Sequence, residues 1–293
     1  MALKDINGIN IEVALKANGY VIVDNLIPDE MMPRLKAATE RVVDRARKGE
    51  WHHCRTVGKQ FPPWTEEDNV DVWGVQFMMH PELQEAVFME WYGSEPLLAA
   101  VQQLLDCSRE QLQFELFNLL INPRDNDFDL TWHRDAVTAE CPEDEEREKL
   151  KIPHYGTQWN TALYEDDCLY VVPNSHRRVR TAEERDITIN DPKSHNMPGQ
   201  IRVNLKPGQT VFYDNNILHR AAYFKSKKRH TLHACMGTTE GGDHRANNIF
   251  QHGLGWLDTD DFRATLVESL KVPYENTLAM SKATGLSAKP IHG

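Results

Sequence analysis

The sequence predicts an α+β protein whose core is a double-sheet jelly roll wrapped by helices. Helical periodicity dominates the front of the chain, short strand-like runs separated by Gly/Pro turns fill its centre, and one more helix is expected near the end. No repeat, low-complexity tract or linker divides the 293 residues. They read as a single domain, 1–293, with a helical buttress at 1–110, a jelly-roll core at 111–240 and a C-terminal extension at 241–293.

The elements follow in order. Residues 11–19 read as a short helix stopped by Gly19, and 20–23 (Tyr-Val-Ile-Val) as a strand. Residues 30–48 form a second helix. Asp29 is its expected cap, and Met32, Leu35, Ala38, Val42 and Val43 recur at helical spacing. Residues 51–74 are polar, aromatic and broken by Pro62-Pro63, which predicts a long loop that is either a lid or plain surface. Two helices follow, at 80–91 and 95–105. Leu112, Phe114, Leu116 and Leu120, interleaved with Phe117, Leu119 and Ile121, then suit a strand buried on both faces. The charged run 139–151 reads as a solvated loop or short helix, and 181–199 as a loop. Strands are expected at 157–164, 168–172, 201–205, 210–213 and 230–236, and a final helix at 258–270, capped by Asp258 or Thr259.

The totals narrow the function. A formal net charge of -11 argues against nucleic acid as the main partner. No apolar run is long enough to span a membrane, and the front of the chain lacks the apolar core of a signal peptide. Five scattered cysteines, Cys54, Cys107, Cys141, Cys168 and Cys235, without a C-x-x-C pair, read as reduced thiols of a cytoplasmic protein. The expected partner is a small-molecule substrate; a homodimer stays open.

The chemistry centres on Thr131-Trp132-His133-Arg134-Asp135. In a strand, positions i and i+2 share a side, so His133 and Asp135 can grip one ion together. A second isolated imidazole, His219, lies in Asp214-Asn215-Asn216-Ile217-Leu218-His219 and must arrive from another strand. Two imidazoles and a carboxylate on one face of a metal form the facial triad of non-haem Fe(II) oxygenases, which leaves positions open for O₂ and a chelating co-substrate.

Three further stretches stand around that pair: Pro173-Asn174-Ser175-His176, Lys206-Pro207-Gly208-Gln209 ahead of His219, and Arg229 beyond it. Together they resemble the phytanoyl-CoA dioxygenase family of Fe(II)/2-oxoglutarate oxygenases over about residues 14–233. The resemblance implies a double-stranded β-helix of the cupin-like kind. It implies Fe(II) held by His133, Asp135 and His219, with O₂ and 2-oxoglutarate as co-substrates. Succinate and CO₂ would be released as a substrate C–H is hydroxylated or desaturated. Arg229 stands where the family places the cation that holds the distal carboxylate of 2-oxoglutarate; Lys227 and Lys228 are the neighbouring alternatives. Asn118 and Asn160 are candidate co-substrate contacts.

The chain departs from the family at Ala221, Asn160, Asp167 and Asn174, which touches co-substrate contacts and substrate identity more than the ligands. Asp135 disfavours halogenation, for which relatives carry a small residue there. Of the other histidines, His176 reads as structural, and His230 and His233 as core or pocket residues; His52, His53, His154, His195, His244 and His252 carry no chemical expectation. Two rival functions remain: a non-redox metal-dependent isomerase or hydrolase, and a non-catalytic binding protein of the same fold.

Overall fold

The protein, as a computed structural model, is described over residues 2–57, 71–153, 155–250 and 253–286. In chain order these carry α1 (Ile11–Asn18), β1 (Tyr20–Val23), α2 (Met31–Arg47), β2 (Cys54–Thr56), β3 (Val72–Val75), α3 (Ala86–Tyr92), α4 (Glu95–Leu105), β4 (Leu112–Ile121) and β5 (Phe128–Asp129). After them come α5 (Glu143–Lys149), β6 (Gly156–Ala162), β7 (Leu169–Val172), α6 (Ala182–Asn190), β8 (Ile201–Arg202), β9 (Thr210–Tyr213), β10 (Leu218–Tyr223) and β11 (His230–Thr238). The chain closes with α7 (Ala246–Phe250), α8 (Asp260–Thr265) and α9 (Lys271–Thr284).

The strands form two antiparallel sheets. The larger runs β1-β9-β6-β11-β4-β3-β2 and the smaller β5-β10-β7-β8. This is the expected jelly roll with helices around it. Among the described residues no helix is long and apolar enough to cross a membrane.

The central strand β4 is buried at every position, because one face meets the helices and the other the interior of the roll. The front of the chain does more than buttress: β1 pairs with β9, and the β2–β3 pair extends the larger sheet beyond β4. Residues 51–74 are therefore not one loop. Their ends are strands, while residues 58–70, the middle of the stretch read as either a lid or plain surface, lie outside the described residues.

Local signals explain most elements. Gly19 ends α1 at φ 81, and a Cβ there would sit 2.5 Å from His176 Nδ1, so the close seat of His176 on this turn also requires glycine. α2 begins at Met31, one residue past the expected start. Its cap position is Glu30, without a side-chain cap bond, in place of Asp29. The helix expected at 80–91 is split: a 3₁₀ turn, Pro81–Leu83, ends at Gln84 with φ 58 before α3 begins.

Three segments differ from expectation. Residues 182–190 form α6 in place of a loop, opened by a reciprocal Thr181/Glu184 capping box. The final helix breaks after Thr265 and restarts as the longer α9. Thr277 and Asn276 of α9 donate to the Phe114 and Leu112 carbonyls at 2.6 and 2.8 Å. The charged run at 139–151 is a helix as allowed, yet it is not simply solvated: Glu146 is completely buried.

Candidate metal centre and its cavity

His133 is not part of a continuous strand. It makes a single antiparallel bridge with His219, exchanging N–H···O bonds of 3.0 and 3.1 Å, so the two residues stand directly opposite each other. Asp135 lies in the bend that follows, pinned by its N–H to the Asn215 carbonyl at 2.9 Å. His219 is the second residue of β10.

The side chains converge. Asp135 Oδ1 lies 3.4 Å from His133 Nε2 and 3.7 Å from His219 Nε2. The candidate ligand atoms of all three lie within 4.8 Å of one another, close enough to hold one metal ion. Both Nδ1 atoms are occupied at backbone carbonyls, of Thr131 at 2.7 Å and Ile217 at 2.9 Å. Nδ1 must carry the proton to donate there, which leaves each Nε2 lone pair facing the partner ligands. Gln158 Nε2 donates to Asp135 Oδ2 at 2.6 Å and leaves Oδ1 for the shared position.

The charge states of His219 and Asp135 suit ligation. Burial pushes the His219 imidazole down to about 4, so it is neutral at pH 7. Burial opposes ionisation of Asp135, but the His219 and His133 rings and Gln158 outweigh it and hold the carboxyl well below its ordinary range. At His133, burial is outweighed by the hydrogen bond and charge of Asp135, and its value is raised.

These residues line a cavity of about 180 Å³ between the sheets. Arg229 lines the same cavity. Its Nε donates to Asp166 Oδ2 at 2.9 Å, and its guanidinium lies over the Tyr223 ring at 4.5 Å. Asp166 also accepts from Thr231 Oγ1 and, at 2.9 Å, from the Cys168 N–H. Both terminal nitrogens of Arg229, Nη1 and Nη2, are buried and have no partner among the described residues. A paired guanidinium edge left bare in a buried wall has the shape and charge to accept a carboxylate. Lys227 and Lys228 are not alternatives to it, because they pair with Asp167 and Glu40 and line no part of this cavity.

Asn160 lines the cavity and accepts from His233 Nδ1 at 2.8 Å. Asn118 is not brought to the cavity wall; its Oδ1 instead accepts the Phe77 N–H at 3.3 Å. His176 is structural, His230 packs against Thr39 in the core, and His233 is a cavity residue. His154 and His252 lie outside the described residues.

Sequence reasoning missed several wall residues. Gln158 stands two positions before Asn160 on β6, so period-2 alternation alone could have placed it inside. Arg55, Tyr213, Glu115 and Arg245 left no local signal. Arg245 reaches Glu115 at 2.5 Å by lying where a Cβ on Gly156 or Gly237 would overlap it.

A jelly roll that gathers two imidazoles and one carboxylate at an inner cavity defines the class: a mononuclear-metal type of jelly-roll protein. The chain belongs to the phytanoyl-CoA dioxygenase (PhyH) family, whose model matches residues 15–231. Solved structures share the fold at low identity. AviO1 from Streptomyces viridochromogenes Tue57 aligns with TM-score 0.56 and 16% identity over 78% of this chain and 93% of its own. EctD from S. alaskensis gives 0.56 and 15% over 78% and 76%. The carbocyclase SnoK from nogalamycin biosynthesis gives 0.52 and 16% over 78% and 83%. No curated protein matches the chain.

Proposed function

We propose that this chain is a single-domain Fe(II)- and 2-oxoglutarate-dependent oxygenase that oxidises a small organic molecule. The observation that carries the reading is the pair of bare, buried Arg229 nitrogens in the cavity that also holds the two free imidazole Nε2 atoms and Asp135 Oδ1. A non-redox metal enzyme acting on a neutral substrate has no use for that second anion receptor. The reading is supported by two fold relatives: EctD was crystallised with 2-oxoglutarate and 5-hydroxyectoine, and the epimerase SnoN with Fe3+, alpha ketoglutarate and nogalamycin RO.

In this reading His133, Asp135 and His219 hold the iron on one face. Gln158 fixes the Asp135 carboxylate so that one oxygen stays with the metal. Arg229, its charge set by Asp166 behind it, takes the distal carboxylate of 2-oxoglutarate as a planar fork. Asn160 and His233 flank that co-substrate. Bound iron, with 2-oxoglutarate and O₂ as co-substrates, would supply the oxidant for a substrate C–H bond, one oxygen atom entering succinate and the other the hydroxylated product, with CO₂ released. Leu116, Leu120, Leu130, Leu169 and Ala221 give the cavity an apolar wall for the substrate. Hydroxylation is the proposed outcome, and desaturation its nearest variant.

The test is an anaerobic titration of Fe(II) and then 2-oxoglutarate, read by the metal-to-ligand charge-transfer absorption. The parent should develop the band. His133→Ala, Asp135→Ala and His219→Ala should each lose iron and the band. A parent that binds Fe(II) but shows no band with 2-oxoglutarate overturns the oxygenase reading in favour of non-redox chemistry.

A further inference from the structure

Arg134 stands between two of the proposed ligands, and its side chain runs the other way, behind the cavity. It is buried to 1% exposure. Nη1 donates to the Ser175 carbonyl at 2.8 Å and to the Asn216 carbonyl, and Nη2 to the Arg178 carbonyl at 2.9 Å. None of these carbonyls belongs to a sheet ladder; Ser175's also accepts the Arg178 N–H at 3.3 Å, and Arg134 supplies a donor to all three.

The bonded segments are the ones that place His219. Ser175 Oγ accepts the N–H of Leu218, the residue before His219, at 2.7 Å. Asn216 lies in the turn whose Asn215 carbonyl holds the Asp135 N–H. One guanidinium therefore ties the His133–Asp135 stretch to both chain segments that lead to the third ligand.

Glu146 on α5 supplies the counter-charge. It is completely buried, with Oε1 3.1 Å from Arg134 Nε and 3.2 Å from Arg180 Nε, and Oε2 2.6 Å from Arg185 Nη2. Arg180 and Arg185 anchor it in turn to the Thr138 and Cys141 carbonyls, so the arrangement is braced from outside.

We propose that Arg134 and Glu146 are positioning residues for the metal centre, setting the spacing of His133 and Asp135 against His219 from behind. The proposal rests on the reading that those three residues hold a metal. Arg134 is not a ligand and does not line the cavity. Its effect passes through the backbone, where small displacements of ligands are costly because coordination tolerates little misplacement.

The experiment uses Co(II) as a spectroscopic stand-in for Fe(II) on the full chain. Dissociation constants and d–d spectra are compared for the parent, Arg134→Lys, Glu146→Gln and Thr277→Val. Arg134→Lys keeps the charge opposite Glu146 but loses the planar fork. Thr277→Val removes a buried bond from α9 to the Phe114 carbonyl of β4 and serves as the control for destabilisation alone. Arg134→Lys is expected to weaken Co(II) binding about 10- to 100-fold, the range for supporting residues of metal sites, and to change the band shape. Glu146→Gln should do the same if it folds. Thr277→Val should leave both readouts at parent values. A parent that binds Co(II) alongside an Arg134→Lys variant with parental affinity and spectrum overturns the positioning role alone. A parent that takes up no Co(II) overturns the metal assignment, and the positioning role with it.

Discussion

Replacing Arg229 with alanine should do two separable things. It removes the two bare donors from the distal carboxylate of 2-oxoglutarate, and it leaves the buried Asp166 carboxylate without its cation. Truncating one side of a buried charge pair costs about 2–5 kcal/mol of binding. At about 1.4 kcal/mol per tenfold, the co-substrate should bind roughly thirty- to several-thousand-fold more weakly. The second effect falls on folding. Asp166 keeps only the Cys168 N–H and the Thr231 hydroxyl, and breaking such a buried pair destabilises by about 3–5 kcal/mol. Adding Asp166→Asn removes the stranded charge; its amide oxygen still accepts the Cys168 N–H, and the Thr231 hydroxyl can turn to accept from the new amide NH2. The double variant should therefore regain most of the lost unfolding temperature and none of the affinity. Arg229→Lys should recover part of the affinity, because an ammonium cannot present two parallel donors. The assays are thermal unfolding and the anaerobic charge-transfer titration of iron-loaded protein. Parental 2-oxoglutarate affinity in Arg229→Ala, or affinity restored by Asp166→Asn, would refute the reasoning.

Gln158→Leu removes the donor that orients Asp135, so metal affinity should fall about 10- to 100-fold while the fold survives; an unchanged metal titration would count against this role. The metal-free protein should lose stability on acidification. Burial pushes the folded values of His230 and His219 down to about 4 and of His233 to about 3. Below the ordinary 6.5 the unfolded chain therefore takes up protons that the folded one refuses, and stability falls as pH drops toward 4. His133, whose value is raised, acts in the opposite sense: its contribution is complete below 6.5 and is lost as pH rises through its folded value. Three groups outweigh one, so the unfolding temperature should fall between about pH 7.5 and about pH 5, and a flat or rising profile there would contradict it.

What the sequence determined by itself was whatever is local. The strand and helix periods of α1, β1, α4 and β4 were legible because each carries its own apolar pattern and stop signal. The order His133, Asp135, His219, Arg229 was legible through the resemblance to the phytanoyl-CoA dioxygenase family, whose order of motifs it follows. The Thr181/Glu184 box was also present to be read, but the Asp-, Asn- and Pro-rich residues around it spoke for a loop.

The tertiary structure decided what depends on partners far along the chain. α9 has little apolar periodicity and is fixed by bonds to the carbonyls of β4, which no local window contains. Glu146 sits among acidic neighbours that do face water; only the arrival of Arg134, Arg180 and Arg185 makes it the buried member. His133 and Asp135 share a face because of a one-residue bridge to His219 and a bond to Asn215, not because a strand runs through them. Residue identity could nominate an arginine for the co-substrate. Its fitness rests on Nη1 and Nη2 being buried and unclaimed, a property of every segment packed around Arg229 and of no single stretch of sequence.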